Sequence, residues 1–237
     1  MTTVLVDKRI SAACERRLEI FGYSVIKLPP SPGLPEAIAS HPDSLIFKLG
    51  DSLVTSADFC DVAPYVFSEL RERHPELKIY FSSDTFGQKY PDDCKMNALV
   101  MGDKIFARAA SLSGKIKELA SLSGYEIIDT KQGYPACTTL KISESHAVTA
   151  DLGMTKILKK CKVKVTNIGN FDISLPPYDY GFIGGACGVH NGSVYFFGSL
   201  DTHREAAKIR AAIEEAGLRA VSLSDEPLAD LGGMVFI

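Results

Sequence analysis

Apolar and polar positions along the 237-residue chain fall into short alternating runs that recur in one order. NALVMGDKIFARA (97–109) carries two apolar runs on either side of Gly102-Asp103, a hairpin signal. Behind it, SLSGKIKELASLS (111–123) alternates as a helix does, and Gly124 is placed to stop that helix. YEIIDT (125–130) then reads as a strand. The predicted unit is strand, turn, strand, helix, strand.

The same order returns along the chain. SLIFKLGDSLVTS (44–56) precedes a helical stretch from about Ala57 to His74 and the strand KIYFSS (78–83). TTLKISESHAVTA (138–150) precedes a helix near 152–161 and VKVTNI (163–168). ACGVHNGSVYFFG (186–198) contains Asn191-Gly192, the strongest short hairpin signal in the chain. Thr202 and Glu205 after it have capping-box spacing, the predicted helix ends before Gly217, and RAVSLS (219–224) closes that unit. The turns fall at Gly50, Gly102, Glu144 and Asn191, a period of roughly 40 to 50 residues, the length of a propeller or array repeat.

The N-terminus supplies a fifth unit that lacks its first strand. VLVDK (4–8) is an outer hairpin strand, 9–21 its helix and YSVIKL (23–28) its last strand. The chain ends in GGMVFI, an apolar strand behind a Gly-Gly like that at 184–185. It supplies the missing strand, closing the first unit with both chain ends and leaving no open edge between first and last units. The whole chain reads as one domain, with repeats at 1–28 plus 232–237, 44–83, 97–130, 138–168 and 185–224.

Five such units in a closed ring resemble the pentein, or guanidine-modifying-enzyme, fold: a five-bladed α/β propeller with pseudo-fivefold repeats. SHPDSLIFKL (40–49), KQGYPACTTL (131–140) and YDYGFIGGACG (178–188) are more closely similar to a bacterial family without assigned activity that is described as having this fold. The resemblance implies one of two functions. The first is a cysteine-dependent hydrolase or amidinotransferase acting on a small guanidino or amidino compound. The second is a non-catalytic ligand-binding or scaffold protein, in the manner of the ribosome anti-association factor of the same fold.

Composition narrows the partners. Hydrophobic residues make up 46% and charged residues 23%, proportions of a folded globular chain, and the net charge of −3 offers no basic field for nucleic acid or an anionic membrane. The basic run KILKKCKVK (156–164) reads as a solvated helix and strand face. The six cysteines include no C-x-x-C, so no zinc ribbon, redox pair, metal or cofactor is indicated. The first residues lack a signal-peptide core and no apolar run reaches membrane length, which predicts a cytoplasmic protein; an oligomer is left open.

Candidate chemistry concentrates in the loops entering the first strands: 29–43, 84–96, 131–137, 169–185 and 225–233. They would converge at one mouth of the ring, where a small-molecule ligand would enter an axial pocket. Aligning the hairpins on their turns puts Asp43, Lys95, Cys137 and Gly184 at equivalent positions. Cys137 is the candidate nucleophile, with Lys95 or Lys131 beside it to favour the thiolate, or else a small buried hydrophobe. His41 and Asp43 resemble the enzymes' H-x-D pair, which implies an acid/base and a carboxylate that holds the guanidinium; otherwise they cap a turn. Cys187, in GGACG, is the rival nucleophile or a packing residue. Asn97, Lys131, Asp179, Gly184 and Gly185 complete the predicted ligand contacts. Asp92-Asp93 reads as a solvated loop, His146 and His190 as structural residues at the far end, and His74 and His203 as solvated.

Overall fold

Alternating side chains give each unit a hairpin with one face to pack, and five three-stranded sheets result in the computed structural model, which describes residues 1–237. In each sheet the first two strands in unit order are antiparallel, and a helical crossover returns the third parallel to the second. The second sheet is Ile46–Leu49, Ser52–Ser56 and Lys78–Ser82. The third is Leu99–Met101, Lys104–Ala107 and Glu126–Asp129. The fourth is Thr139–Ser143, His146–Thr149 and Lys164–Asn167, and the fifth Cys187–His190, Ser193–Phe196 and Arg219–Ser222.

The first sheet joins both ends of the chain. Thr3–Asp7 lies between Ser24–Leu28, parallel to it, and the terminal Val235–Phe236, antiparallel to it with Val4 opposite Phe236. Thr3 and Ile237 exchange backbone hydrogen bonds of 3.0 and 2.8 Å. A further two-stranded pairing joins Ile173–Ser174 to Leu228–Ala229, and none of the sheets closes on itself.

The apolar core is divided the same way. Leu5, Ile26, Leu53 and Phe67 pack between the first and second sheets, and Phe47, Val54, Ile105 and Ile116 between the second and third. Phe106 meets Met154 between the third and fourth, and Val148 meets Phe196 between the fourth and fifth. Val4 and Leu18 pack against Tyr195 and Phe197, joining the fifth back to the first. A fully buried side chain of this size stabilises by about 1.5–3 kcal/mol, so each seam holds its two neighbours together.

Three expectations are corrected. The helical stretch from Ala57 divides into Ala57–Val62 and Pro64–Arg73, because Pro64 has no N–H to continue the ladder. The Thr202–Glu205 capping box does not form. Thr202 ends a 3₁₀ turn, the helix is Ala206–Glu215, and the Glu205 carboxylate instead accepts from Gly169 N at 2.6 Å. His74 and His203 are buried: His74 Nε2 lies 2.8 Å from Thr3 Oγ1, and His203 Nδ1 accepts from Glu205 N.

Candidate active site

Two short helical turns position the central side chains. His41 takes an extended backbone (φ −63°, ψ 121°), as the residue before proline must, and Pro42 opens the turn Pro42–Leu45. Pro135 opens the counterpart Pro135–Thr138. Each turn ends on a carbonyl that accepts from a threonine of the next strand, Thr55 Oγ1 to Leu45 O at 2.8 Å and Thr149 Oγ1 to Thr138 O at 2.7 Å.

These matching bonds set Cys137 opposite Ser44, one residue from the turn-based alignment with Asp43. The fourth hairpin carries a register shift between His146 and Ala147, which inserts one residue into its first strand.

Cys137 and Asp230 form the centre. The Cys137 thiol donates to both Asp230 oxygens, 3.4 Å to Oδ1 and 3.3 Å to Oδ2, and both side chains are buried. Phe182 N and Gly232 N also donate to Asp230, at 2.8 and 3.1 Å. Asp43 stands beside Cys137, accepts from Ser44 Oγ at 3.1 Å, and has an Oδ2 that is buried without a partner.

His41 lies within the same cluster, its Nδ1 3.9 Å from Asp230 Oδ1 and its Nε2 3.9 Å from Asp7 Oδ2. Asp7 is fully buried and held by Arg9, whose Nε and Nη2 donate at 2.9 and 2.6 Å. His41, Cys137 and Asp230 offer donor atoms within 4.8 Å of one another and are the side chains that could share a metal ion.

Burial governs the electrostatics. It pushes Asp43 up to about 8, with the neighbouring Asp230 charge adding to the effect, and Asp230 up to about 6. Burial and the Arg9 charge bring His41 down to about 3, so the ring is neutral. The Cys137 thiol rises well above its ordinary value, first by burial and then by the carboxylates Asp230 and Asp43. The cation expected beside it is absent: Lys95 donates to Thr85 O at 2.6 Å, and Lys131 is an exposed side chain away from the cluster.

The other predicted residues take different places. Asn97 is buried and its Oδ1 accepts from Ala136 N at 2.9 Å, holding the Cys137 turn. An added Cβ on Gly184 would meet Ala136 O at 2.2 Å, and one on Gly185 would meet Asp230 Oδ1 at 1.9 Å and Cys137 Sγ at 2.7 Å. Gly232 does the same for His41 at 2.3 Å with φ +69°, so bare backbone walls the cluster. Cys187 lies in its strand, donates to Ile183 O at 3.1 Å, and has a thiol raised by burial. Asp179 is exposed at the rim of the mouth cavity described next.

The cluster stands between two cavities. One of ≈ 670 Å³ runs among the first strands of all five sheets and reaches Asp43, Gly184 and Gly232. The other, ≈ 650 Å³, has His41, Ser44 and Cys137 in its lining, with Tyr90, Tyr134, Tyr178 and Tyr180 also along its walls. Asp93, read from sequence as solvated, is buried against Tyr134 in that wall.

Sequence reasoning missed Asp230, Asp7 and Arg9. The only local signal for Asp230 is its position just before Gly232-Gly233 in a loop already marked as converging; Asp7 ends a strand and Arg9 lies in the turn behind it, with nothing in the local sequence to mark either.

The model of a family described as "Family of unknown function (DUF6873)" matches residues 5–235. No curated protein matches the chain. Among solved structures, it is similar to SxtG, an amidinotransferase from Microseira wollei in the saxitoxin biosynthetic pathway: 11% identity, 94% of this chain and 88% of that one, TM-score 0.56. It is also similar to the inosamine-phosphate amidinotransferase StrB1 from Streptomyces griseus: 12%, 95% and 78%, TM-score 0.57. The agmatine deiminase of C. jejuni gives 9%, 94% and 86%, TM-score 0.56. The fold of the chain is the pentein fold.

Proposed function

The chain belongs to this family of unknown function, and from its pentein fold and buried thiol–carboxylate cluster we propose a cysteine-dependent hydrolase or transferase acting on a small guanidino or amidino compound. The observation that carries the reading is the Cys137 thiol donating to Asp230 at 3.3 and 3.4 Å, with Asp43 beside it, at the base of a tyrosine-walled cavity. Arg9 is committed to Asp7 and no lysine or arginine forms an ion pair with Asp43 or Asp230, and a planar guanidinium offers paired N–H donors that match these carboxylates.

The chemistry follows from those positions. A guanidinium at the base of the mouth cavity brings positive charge to Asp43 and Asp230 and favours the thiolate over the thiol. The thiol proton passes to Asp230, whose value near 6 suits a group that takes and returns a proton at neutral pH. Sulfur forms a bond to the guanidinium carbon, and the C–N π pair moves onto nitrogen. The leaving amine departs with a proton returned by Asp230, leaving an amidino group on Cys137. Water then attacks that carbon in a hydrolase, and an amine in a transferase, and the C–S bond breaks.

Asp230 thus takes the proton role that the sequence suggested for His41, which is too deeply buried and too close to Arg9 to hold a proton near neutrality. The reading includes a five-bladed α/β propeller formed by residues 1–237 as one domain. It is supported by five core seams, each joining neighbouring sheets and the last returning to the first. Six free cysteines accord with a cytoplasmic protein, and no helix is long and apolar enough to cross a membrane.

Thermal-shift titration with arginine, agmatine and methylated arginines tests the substrate class. At least one raises Tm in the wild type and loses that effect in Asp43→Asn. No shift with any guanidino or amidino compound would remove the proposal.

A further inference from the structure

We propose that His41 Nδ1, Cys137 Sγ and Asp230 bind one thiophilic divalent cation of the zinc type. In a tetrahedral zinc site, bonds of about 2.3 Å to sulfur and about 2.0 Å to nitrogen or oxygen separate the ligand atoms by roughly 3.3–3.6 Å. Cys137 Sγ already lies 3.3 and 3.4 Å from the Asp230 oxygens, and His41 Nδ1 lies 3.9 Å from Oδ1. All three donor atoms lie within 4.8 Å of one another, so side-chain adjustments of about 1 Å bring them to zinc-site spacing.

Independent observations point the same way. Both ring nitrogens of His41 are buried without a hydrogen-bond partner, although the residue has no measurable exposure. Asp43 Oδ2 is orphaned next to the thiol. On the far side of the ring, His41 Nε2 faces Asp7 Oδ2 at 3.9 Å, and Arg9 fixes Asp7 through its backbone N, Nε and Nη2. At 3.9 Å this is not yet a hydrogen bond; closing that gap on metal binding would let Nε2–H donate to Asp7 and leave Nδ1 free for the metal. A thiolate, an imidazole and a carboxylate together favour zinc over magnesium or calcium. The mouth cavity, lined by His41 and Cys137, gives the ion a way in. Because the donors come from residues 41, 137 and 230, no local spacing motif announces them.

This inference rests on the donor geometry alone. An ion on Cys137 and Asp230 occupies the groups that the guanidinium reading gives to chemistry, so ion and guanidino ligand exclude one another, and failure of that reading leaves this one standing. The test titrates chelator-treated full-length protein with Co²⁺. Wild type and Cys187→Ser develop sulfur-to-cobalt charge-transfer absorption saturating at one ion per chain, which Zn²⁺ then bleaches. Cys137→Ser lacks that absorption, and Asp7→Asn binds roughly 10–100-fold more weakly with an unchanged far-ultraviolet spectrum. No stoichiometric cobalt or zinc binding by wild type would overturn the proposal. So would a charge-transfer band that survives in Cys137→Ser, or one lost in a folded Cys187→Ser. If Cys137→Ser does not fold, the Cys187→Ser result alone decides: a retained band supports the site and an absent band refutes it.

Discussion

At the scale of single residues, the cluster couples stability to pH through groups whose values move in opposite directions. Asp43 holds its proton in the folded state up to about 8, whereas an unfolded aspartate releases it near 3.9. Between those values the folded state binds more protons, so this group's contribution to stability falls as pH rises. His41, brought down to about 3, does the reverse between 3 and its unfolded value near 6.5. The two oppose each other in mild acid, and above pH 6.5 the Asp43 effect remains. Asp43→Asn removes it: the variant's Tm relative to wild type rises from pH 6 to pH 8.5 by differential scanning fluorimetry, and a flat difference would contradict the assignment. Gly185→Ala tests the packing, since its Cβ would stand 1.9 Å from Asp230 Oδ1. Overpacking there costs about 1–3 kcal/mol and displaces Asp230 from Cys137, so the variant loses the response to guanidino ligands along with some stability. An unchanged ligand response would show that the contact has no functional weight.

At the scale of elements, the terminal strand and the two proline-led turns carry the site. Val235–Phe236 pairs with Thr3–Asp7, and Gly232 O accepts from Asp43 N at 3.1 Å, so the chain end ties the first sheet to the His41–Asp43 turn. Deleting residues 234–237 removes half-buried apolar side chains and that pairing, a loss of about 3 kcal/mol. At this chain length the loss lowers Tm by roughly 10 °C, readable by circular dichroism; a change under about 2 °C would mean that the strand is dispensable. Asp151 is a second test. It caps Leu152–Lys160 by accepting from Met154 N at 2.7 Å and also accepts from Gln132 Nε2, in the loop before Cys137. Asp151→Ala costs about 1 kcal/mol from the cap alone and loosens that loop, so Cys137 alkylation accelerates relative to wild type.

At the scale of the whole molecule, the repeated hairpin–helix–strand order was legible because its signals are local. Asn191-Gly192 adopts the paired positive φ values of a type I′ turn, and Gly50 and Gly102 also take positive φ at their turns. The terminal strand was legible too, since an apolar end needs a partner and the first unit lacked one. The site was only half legible. Cys137, His41 and Asp43 stand out by residue type and by the loops that carry them, whereas Asp230, Asp7 and Arg9 matter only because the fold brings distant segments together. A one-residue register shift in the fourth hairpin, invisible in the pattern, moved Cys137 off its expected alignment. The cluster's charge gives the account its most direct test: the alkylation rate of Cys137 by chloroacetamidine, a cation, against chloroacetamide, its neutral counterpart, followed by peptide mass spectrometry. Recruitment of the amidinium by Asp43 and Asp230, worth about 1.4 kcal/mol or more, makes the cationic reagent at least about tenfold faster at Cys137 beyond the ratio measured on a free thiol, and Asp43→Asn erases most of the difference. Equal relative rates on Cys137 and on a free thiol would contradict a guanidinium-binding thiol site.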